Sequence, residues 1–377
     1  MRILVVSYEF PPIGGGGGRA AQDICLKLVQ RGHDVHILTS HLKGLPQQEN
    51  LEGIKITRVR AARRYAYKAS LMDMSGFVVS GSLVGLKHID HWEPDLMHVH
   101  FAVPSGPVAW LLWRFSKIPY VLTAHLGDVP SGVPSKTDRW FRWIYPFTHP
   151  IWRDATQVVA VSEYTRQLAL DHYPVNIQVI PNGVDLEQLD PGEIQVHDPP
   201  MLVFAGRFVQ QKNPLCLVHT LAQLKHLDWQ CIMLGDGPLG TEIEAEIQKA
   251  ELQDRFKLPG WVTPEEVIQW FTKSDILFMP SLSEGLPVTG VQALALGLCI
   301  IASRIGGFVD LVQDGSNGYL VDPDNSEEFA RHLAKLLSDK RLLLSFRNAS
   351  RKQAHQFDIN NIAEAYEDLF FSRTAAS

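Results

Sequence analysis

Short, wholly apolar runs alternate with amphipathic stretches along the whole chain. In the first half the runs are "RILVVSY", "DVHILTS", "IKITRV", "DLMHVH", "YVLTAH", "TQVVAVS" and "IQVIPN". Helical stretches such as Arg19–Gln30 and Pro104–Phe115 lie between them. Strands that are apolar throughout, rich in Val and Ile, are those covered on both faces of a parallel sheet. The pattern lapses in "LEQLDPGEIQVHDPP", residues 186–200, which reads as an interdomain linker. It then resumes: "MLVFAG", a helix after Lys212, "WQCIMLG", a helix over Gly240–Ala250, "FKLPG", "ILFMPS", a helix over Val288–Ala295, "CIIAS" and "NGYLV". The alternation predicts an α/β protein of two doubly wound, Rossmann-like domains facing each other across a cleft. Their expected limits are 1–190 and 191–357, with the last helix, 358–373, packing back on the first domain. In such sheets ligands bind beyond the C-terminal strand ends, so the loops after strands carry the functional argument.

Composition narrows the classes. The 377 residues favour two domains, and 45% hydrophobic with 20% charged residues is an ordinary globular balance. No apolar run approaches the ~20 residues that span a bilayer, and the apolar start is too short for a signal peptide. Cys25, Cys216, Cys231 and Cys299 lack metal-ligand spacing and read as reduced, packed thiols of a cytoplasmic protein. The net charge of -6 divides into +2 over residues 1–190 and -8 over the remainder, which argues against a nucleic-acid partner.

Four loops could carry chemistry. "EFPPIGGGGGR" follows the first strand, and Gly14 to Gly18 allow close approach of a ligand to a helix N-terminus, an anion site; the bland reading is a flexible loop. In "FAGRFVQQKN", Arg207 and Lys212 stand at a strand-to-helix junction and suit a diphosphate, the fork of one beside the point charge of the other; a solvated basic turn is the alternative. "TAHLGD" places His125 and Asp128 just past a strand, and "HVHF" does the same for His100; each could serve the cleft or the core. In "SLSEGLPVTGVQALALG", Glu284 lies in a turn and Gln292 inside the following helix; a helix-end charge and an ordinary helix former are the bland readings.

Taken together, "PPIGGGGGR", "RGHDVHILT", "TAHLGD", "VSEYTRQ", "VIPNGVD", "FAGRFVQQKN", "GDGP", "MPSLSEGLPVTGVQALALG" and "NGYLVDP" stand in one order along nearly the whole chain. The sequence thereby resembles the GT-B retaining glycosyltransferases of family four, which include sucrose-phosphate synthases and bacterial envelope mannosyl- and glucosyltransferases. The resemblance implies a nucleotide-sugar donor held mainly by the C-terminal domain and no metal or other cofactor. Arg207 and Lys212 would neutralise the donor diphosphate, and Glu284 would bond sugar hydroxyls. The backbone of Gly285, Leu286, Pro287, Val288 and Thr289 would cradle sugar or phosphate oxygens. Gly16 would approach the phosphates, His125 the donor sugar, and Trp261 with Val262 the base. Gln292 departs from the family's glutamate; it would keep the ribose contact with a neutral acceptor. Gly15, Gly17, His100 and Asp128 are expected on the acceptor side.

The expected activity is transfer of a hexose, UDP-glucose being favoured over UDP-GlcNAc and GDP-mannose, to a glycan or lipid-linked acceptor in envelope polysaccharide synthesis. "RVRAARRYAYK" (Arg58, Arg60, Arg63, Arg64, Lys68) and "RWFRWIYPF" (Arg139, Trp140, Phe141, Arg142, Trp143, Tyr145, Phe147) suggest peripheral contact with the inner membrane face; a solvated loop and a half-buried helix are the alternative. "DPD" at 322–324 is read as a turn. Two other functions share the architecture: a UDP-sugar 2-epimerase, and a catalytically impaired sugar-nucleotide binding protein.

Overall fold

The structure, a computed structural model, describes residues 1–66 and 69–374, apart from the side chains of 134–140 and 142. Lys68 and the side chains of Arg139, Trp140 and Arg142 therefore lie outside the described residues. The chain divides into two compact units, Met1–Gly183 with Ile359–Ser377, and Val184–Asp358.

The first unit holds β1 (Arg2–Ser7), β2 (Asp34–Leu42), β3 (Gln48–Leu51), β4 (Ile54–Arg63), β5 (Leu96–His100), β6 (Tyr120–Ala124), β7 (Gln157–Ala160) and β8 (Ile177–Val179). They form one sheet in the order β3-β4-β2-β1-β5-β6-β7-β8, parallel except for the β3–β4 pair. Successive residues of β1 feed opposite cores: Ile3 and Val5 pack with Ile24, Leu28, Tyr366 and Phe370, while Leu4 and Val6 pack with Phe77 and Leu112. Apolar runs therefore mark strands here because both faces are covered. The helix Leu71–Trp92 turns Phe77, Gly81, Gly85 and Ile89 inward. A Cβ on Gly85 would meet Leu112 of the helix Ser105–Ser116 at 2.8 Å, so glycine sets how closely the two helices pack. The final helix, Ile359–Thr374, belongs to this unit.

The second unit holds β9 (Met201–Ala205), β10 (Gln230–Leu234), β11 (Phe256–Gly260), β12 (Ile276–Met279), β13 (Cys299–Ser303) and β14 (Gly318–Val321). Their order is β11-β10-β9-β12-β13-β14, all parallel, the doubly wound Rossmann arrangement. Pro259 is tolerated because β11 is an edge strand.

Three expectations change. The helix after the glycine run begins at Gly16, inside it, not at Arg19; packing of the helix overrides the poor helix propensity of glycine. The short polar strand β3 carries no apolar signal because it is an exposed edge. Segment 186–200 is not a free linker. Arg347 is buried against Asp275 and needs further acceptors. It donates to the Gln195 and Gly297 carbonyls, while Asp275 accepts from the His197 and Met201 backbone N–H groups. The unit division accordingly falls at Gly183/Val184.

Candidate active site

Each sheet reverses its winding at its first strand, and most of the candidate residues lie at or next to those two points. In the first unit β1 lies between β2 and β5, so the loops after β1 and β5 flank the switch point. In the second unit β9 lies between β10 and β12, so the loops after β9 and β12 do the same.

The second-unit loops are stitched together. Lys212 ends a 3-10 turn, Gln210–Lys212, and its Nζ donates to Glu284 Oε1 at 2.5 Å. Both side chains are largely buried, 18% and 8% exposed, so water competes weakly for the pair. Gln211 fixes the spacing: its carbonyl accepts from the Leu282 N–H at 2.8 Å and its carboxamide donates to the Ser283 carbonyl at 3.0 Å. Behind Glu284, the Gly307 N–H donates to the Glu284 carbonyl at 3.2 Å. A Cβ on Gly306 would lie 1.7 Å from that carbonyl oxygen, and one on Gly307 1.9 Å from the Gly285 oxygen. Only glycines can back this loop. The side chain of Arg207, half-buried, makes no hydrogen bond or ion pair among the described residues, which leaves its guanidinium fork available.

The helix Val288–Ala295 starts from Pro287, and no side chain caps it. Glu284 is thus not its cap; the carboxylate is engaged by Lys212 instead. The first N–H groups, at Val288 and Thr289, precede any i→i−4 partner and carry the positive end of the helix dipole. Gln292 is half-buried on this helix, and its carboxamide has no partner among the described residues. Trp261 is exposed and Val262 half-buried after the edge strand β11.

In the first unit Gly15 and Gly16 are exposed, and a Cβ on Gly15 would meet nothing within 4 Å. Gly17 differs: its Cβ would lie 2.7 Å from the Phe101 ring and 3.3 Å from His125 Nδ1. Packing against Phe101 and His125 therefore requires glycine at 17. Glu9 organises the loop by accepting from the Gly15 N–H at 3.2 Å. His125 is 8% exposed, stacks on Phe101 at 4.4 Å, and meets His100 Nδ1 with its Nε2 at 3.4 Å.

His100 and Asp128 present no surface to an acceptor: they are 0% and 2% exposed. Asp128 Oδ2 accepts from the Ala102 N–H and so ties the loop after β6 to the loop after β5. Burial pushes its carboxyl up to about 8. His100, the last residue of β5, points into the core, and Asp128, in the 3-10 turn Leu126–Asp128 after β6, is turned inward onto the Ala102 N–H.

Sequence reasoning missed Gln211, Gly306, Gly307 and Phe101. The glycine pair was findable: "SRIGGF" follows the apolar run "CIIAS" just as the other loops follow theirs. Among the described residues no group of three or more His, Cys, Asp or Glu is gathered for a metal ion. All four cysteines are free thiols, Cys216 being half-buried and the others buried.

Two Rossmann-like units with loops open at both switch points define a two-domain α/β protein of the GT-B fold. Residues 14–188 match the family described as Glycosyltransferase Family 4, and residues 187–353 match Glycosyl transferases group 1. The chain belongs to the group 1 glycosyltransferases. Among its relatives, the 2-deoxystreptamine glucosyltransferase of Streptomyces kanamyceticus is 27% identical over 89% of this chain and 93% of its own. The D-inositol 3-phosphate glycosyltransferase of Corynebacterium efficiens is 27% identical over 100% and 96%. Among solved structures, sucrose-phosphate synthase from Thermosynechococcus elongatus superposes with a TM-score of 0.86 at 22% identity, covering 100% of both chains. Anabaena HepE in complex with UDP and glucose gives 0.79 at 19%, covering 99% and 100%.

Proposed function

We propose that this glycosyltransferase moves a hexose from a nucleotide sugar, UDP-glucose first among candidates, to a glycan or lipid-linked acceptor with retention of anomeric configuration. The observation that carries the reading is the Lys212–Glu284 contact beside the unpartnered Arg207. An ammonium has three donors. Lys212 spends one on Glu284 and keeps two for a diphosphate, while Glu284 Oε2 stays free for a sugar hydroxyl. A sugar and its diphosphate are neighbours in the donor, and these groups are neighbours here.

As the glycosidic bond breaks, negative charge grows on the leaving diphosphate; Arg207 and Lys212 are preplaced cations for it. The leaving phosphate takes the acceptor proton in a front-face displacement, and no metal is required. The family match and the names of the relatives favour transfer over epimerisation. The Anabaena HepE structures with UDP and UDP-glucose support a uridine donor.

No helix among the described residues is long and apolar enough to cross a membrane. Peripheral contact for a lipid-linked acceptor draws on Trp143 and Phe147, 80% and 76% exposed. Arg58 and Arg63 leave that reading: both are buried, Arg58 against Glu49 and Arg63 on the Tyr65 and Ala66 carbonyls. A thermal-shift screen of UDP-glucose, UDP-GlcNAc and GDP-mannose tests the donor, with UDP-glucose expected to stabilise most. NMR of the product anomer tests retention; an inverted linkage overturns it. Failure to float with anionic liposomes removes the membrane component.

A further inference from the structure

His98 and His100 are two residues apart on β5 and share a face of the sheet. Their rings are 4.2 Å apart between centroids, and His100 then reaches His125. Burial disfavours the imidazolium in all three: His98 is pushed down to about 3, His125 to about 4, and His100 well below its ordinary value. All three are neutral at pH 7.

A neutral imidazole has one N–H and one lone pair. The His100–His125 contact therefore has two proton arrangements. In the first, His100 donates from Nδ1 and keeps a bare lone pair on Nε2. In the second, His125 donates from Nε2, and His100 must carry its own proton on Nε2. His100 Nε2 is buried with no partner. A buried N–H without an acceptor is rarer and costlier than a buried lone pair, so the first arrangement wins.

We propose that His100 is a positioning residue that donates from Nδ1 to His125 Nε2 and so holds His125 in the tautomer protonated at Nδ1. That nitrogen lies on the side of the glycine loop, 3.3 Å from where a Gly17 Cβ would stand. Phe101, stacked at an interplanar angle of 29°, keeps the ring from turning. His125 then offers a hydrogen-bond donor rather than a base, and the group it selects is an acceptor oxygen, a hydroxyl or phosphate oxygen of the sugar nucleotide. The ligand half of this rests on His125 touching the donor; the tautomer half does not.

Long-range proton–nitrogen NMR on protein labelled with 15N-histidine reads the tautomer, His125 being assigned by difference against His125→Gln. The wild type is expected to show His125 protonated at Nδ1. His100→Phe keeps a ring and deletes the donor. It should leave His125 without its hold and lower kcat/KM about tenfold, the worth of one hydrogen bond. His100→Asn, whose amide nitrogen stands near the place of Nδ1, should restore it. An Nε2–H wild type overturns the proposal, as does unaltered kcat/KM in His100→Phe where His125→Gln is impaired. The wild-type spectrum decides even where a variant fails to fold. Should the tautomer be as stated while His125→Gln turns over normally, the donor contact of His125 falls and the role of His100 stands.

Discussion

Lys212 and Glu284, 72 positions apart, meet at 2.5 Å between Nζ and Oε1, each with most of its side chain removed from water. Breaking such a pair leaves one buried charge without its partner, so each single substitution costs more than the pair is worth. Lys212→Met and Glu284→Gln should each destabilise the second unit. The double variant should recover part of the loss, with a coupling of about 1–3 kcal/mol in denaturant unfolding. Catalysis should not recover. Lys212→Ala is expected to lower turnover by about a hundredfold or more, because a cation facing the leaving diphosphate acts on the transition state. Near-normal turnover of Lys212→Ala would refute its diphosphate role.

Gly306 holds Glu284 in place from behind. Its φ is +51°, and any Cβ would lie 1.7 Å from the Glu284 carbonyl oxygen. Gly306→Ala therefore combines backbone strain with a clash that backbone must relieve by moving the Glu284 loop. Gly315 is a matched control: φ +79° with nothing within 4 Å of its Cβ. Gly315→Ala should cost about 1 kcal/mol through strain alone and leave donor binding intact. Gly306→Ala should cost about 2–4 kcal/mol and weaken donor binding at least tenfold, by about 1.4 kcal/mol. Equal donor affinity in the two variants, measured calorimetrically, would show that the clash does not reach the loop.

The reach of the sequence follows from what each feature depends on. Strands buried on both faces wrote themselves as apolar runs, and the loops after them were legible because chemistry in doubly wound sheets gathers at strand ends. The exposed edge strand Gln48–Leu51 had no such signature. Arg207, Lys212 and Glu284 could be named singly, but not the Lys212–Glu284 contact or the Gln211 stitch, which depend on two loops meeting across adjacent strands. His100 and Asp128 were placed after the right strands with the wrong exposure: alternation along β5 decides which way His100 turns where both faces are apolar, and the 3-10 turn Leu126–Asp128 decides it for Asp128.

The buried titratable groups of the first unit give its stability a pH dependence with two limbs. His98, His100 and His125 are neutral when folded and titrate near 6.5 when unfolded. Between about 4 and 6.5, unfolding takes up protons on them, so stability falls as pH falls through that window. Asp128 runs the other way. Its folded value of about 8 lies above the model-peptide 3.8, so unfolding releases a proton and stability falls as pH rises between those values. Near pH 5 three imidazoles oppose one carboxyl, and the acid limb dominates. Above 6.5 only the carboxyl of this group remains. Asp128→Asn should therefore flatten the decline between pH 6.5 and 8, where one proton is worth roughly 1.4 kcal/mol per pH unit. Denaturant melts across pH 4.5–8 check both limbs; an unchanged alkaline limb in Asp128→Asn would mean that Asp128 is ionised in the folded protein.

Gln292 stands on the helix that follows the Glu284 loop, half-buried, with a carboxamide that no described residue engages. A carboxamide can accept one hydroxyl bond and donate another, whereas a carboxylate accepts two charge-assisted bonds. If Gln292 receives the donor ribose, Gln292→Glu exchanges a neutral contact for a stronger one. Donor binding should tighten by about 1 kcal/mol, roughly fivefold in Kd. The change has a compensating cost: a new negative charge on the helix also faces the diphosphate. The gain should therefore appear for a nucleoside donor and vanish for inorganic diphosphate, which has no ribose. Titration calorimetry with UDP-glucose and with diphosphate separates the two effects. Equal effects on both ligands would assign Gln292 to electrostatics alone, and no effect on either would leave it an ordinary helix residue.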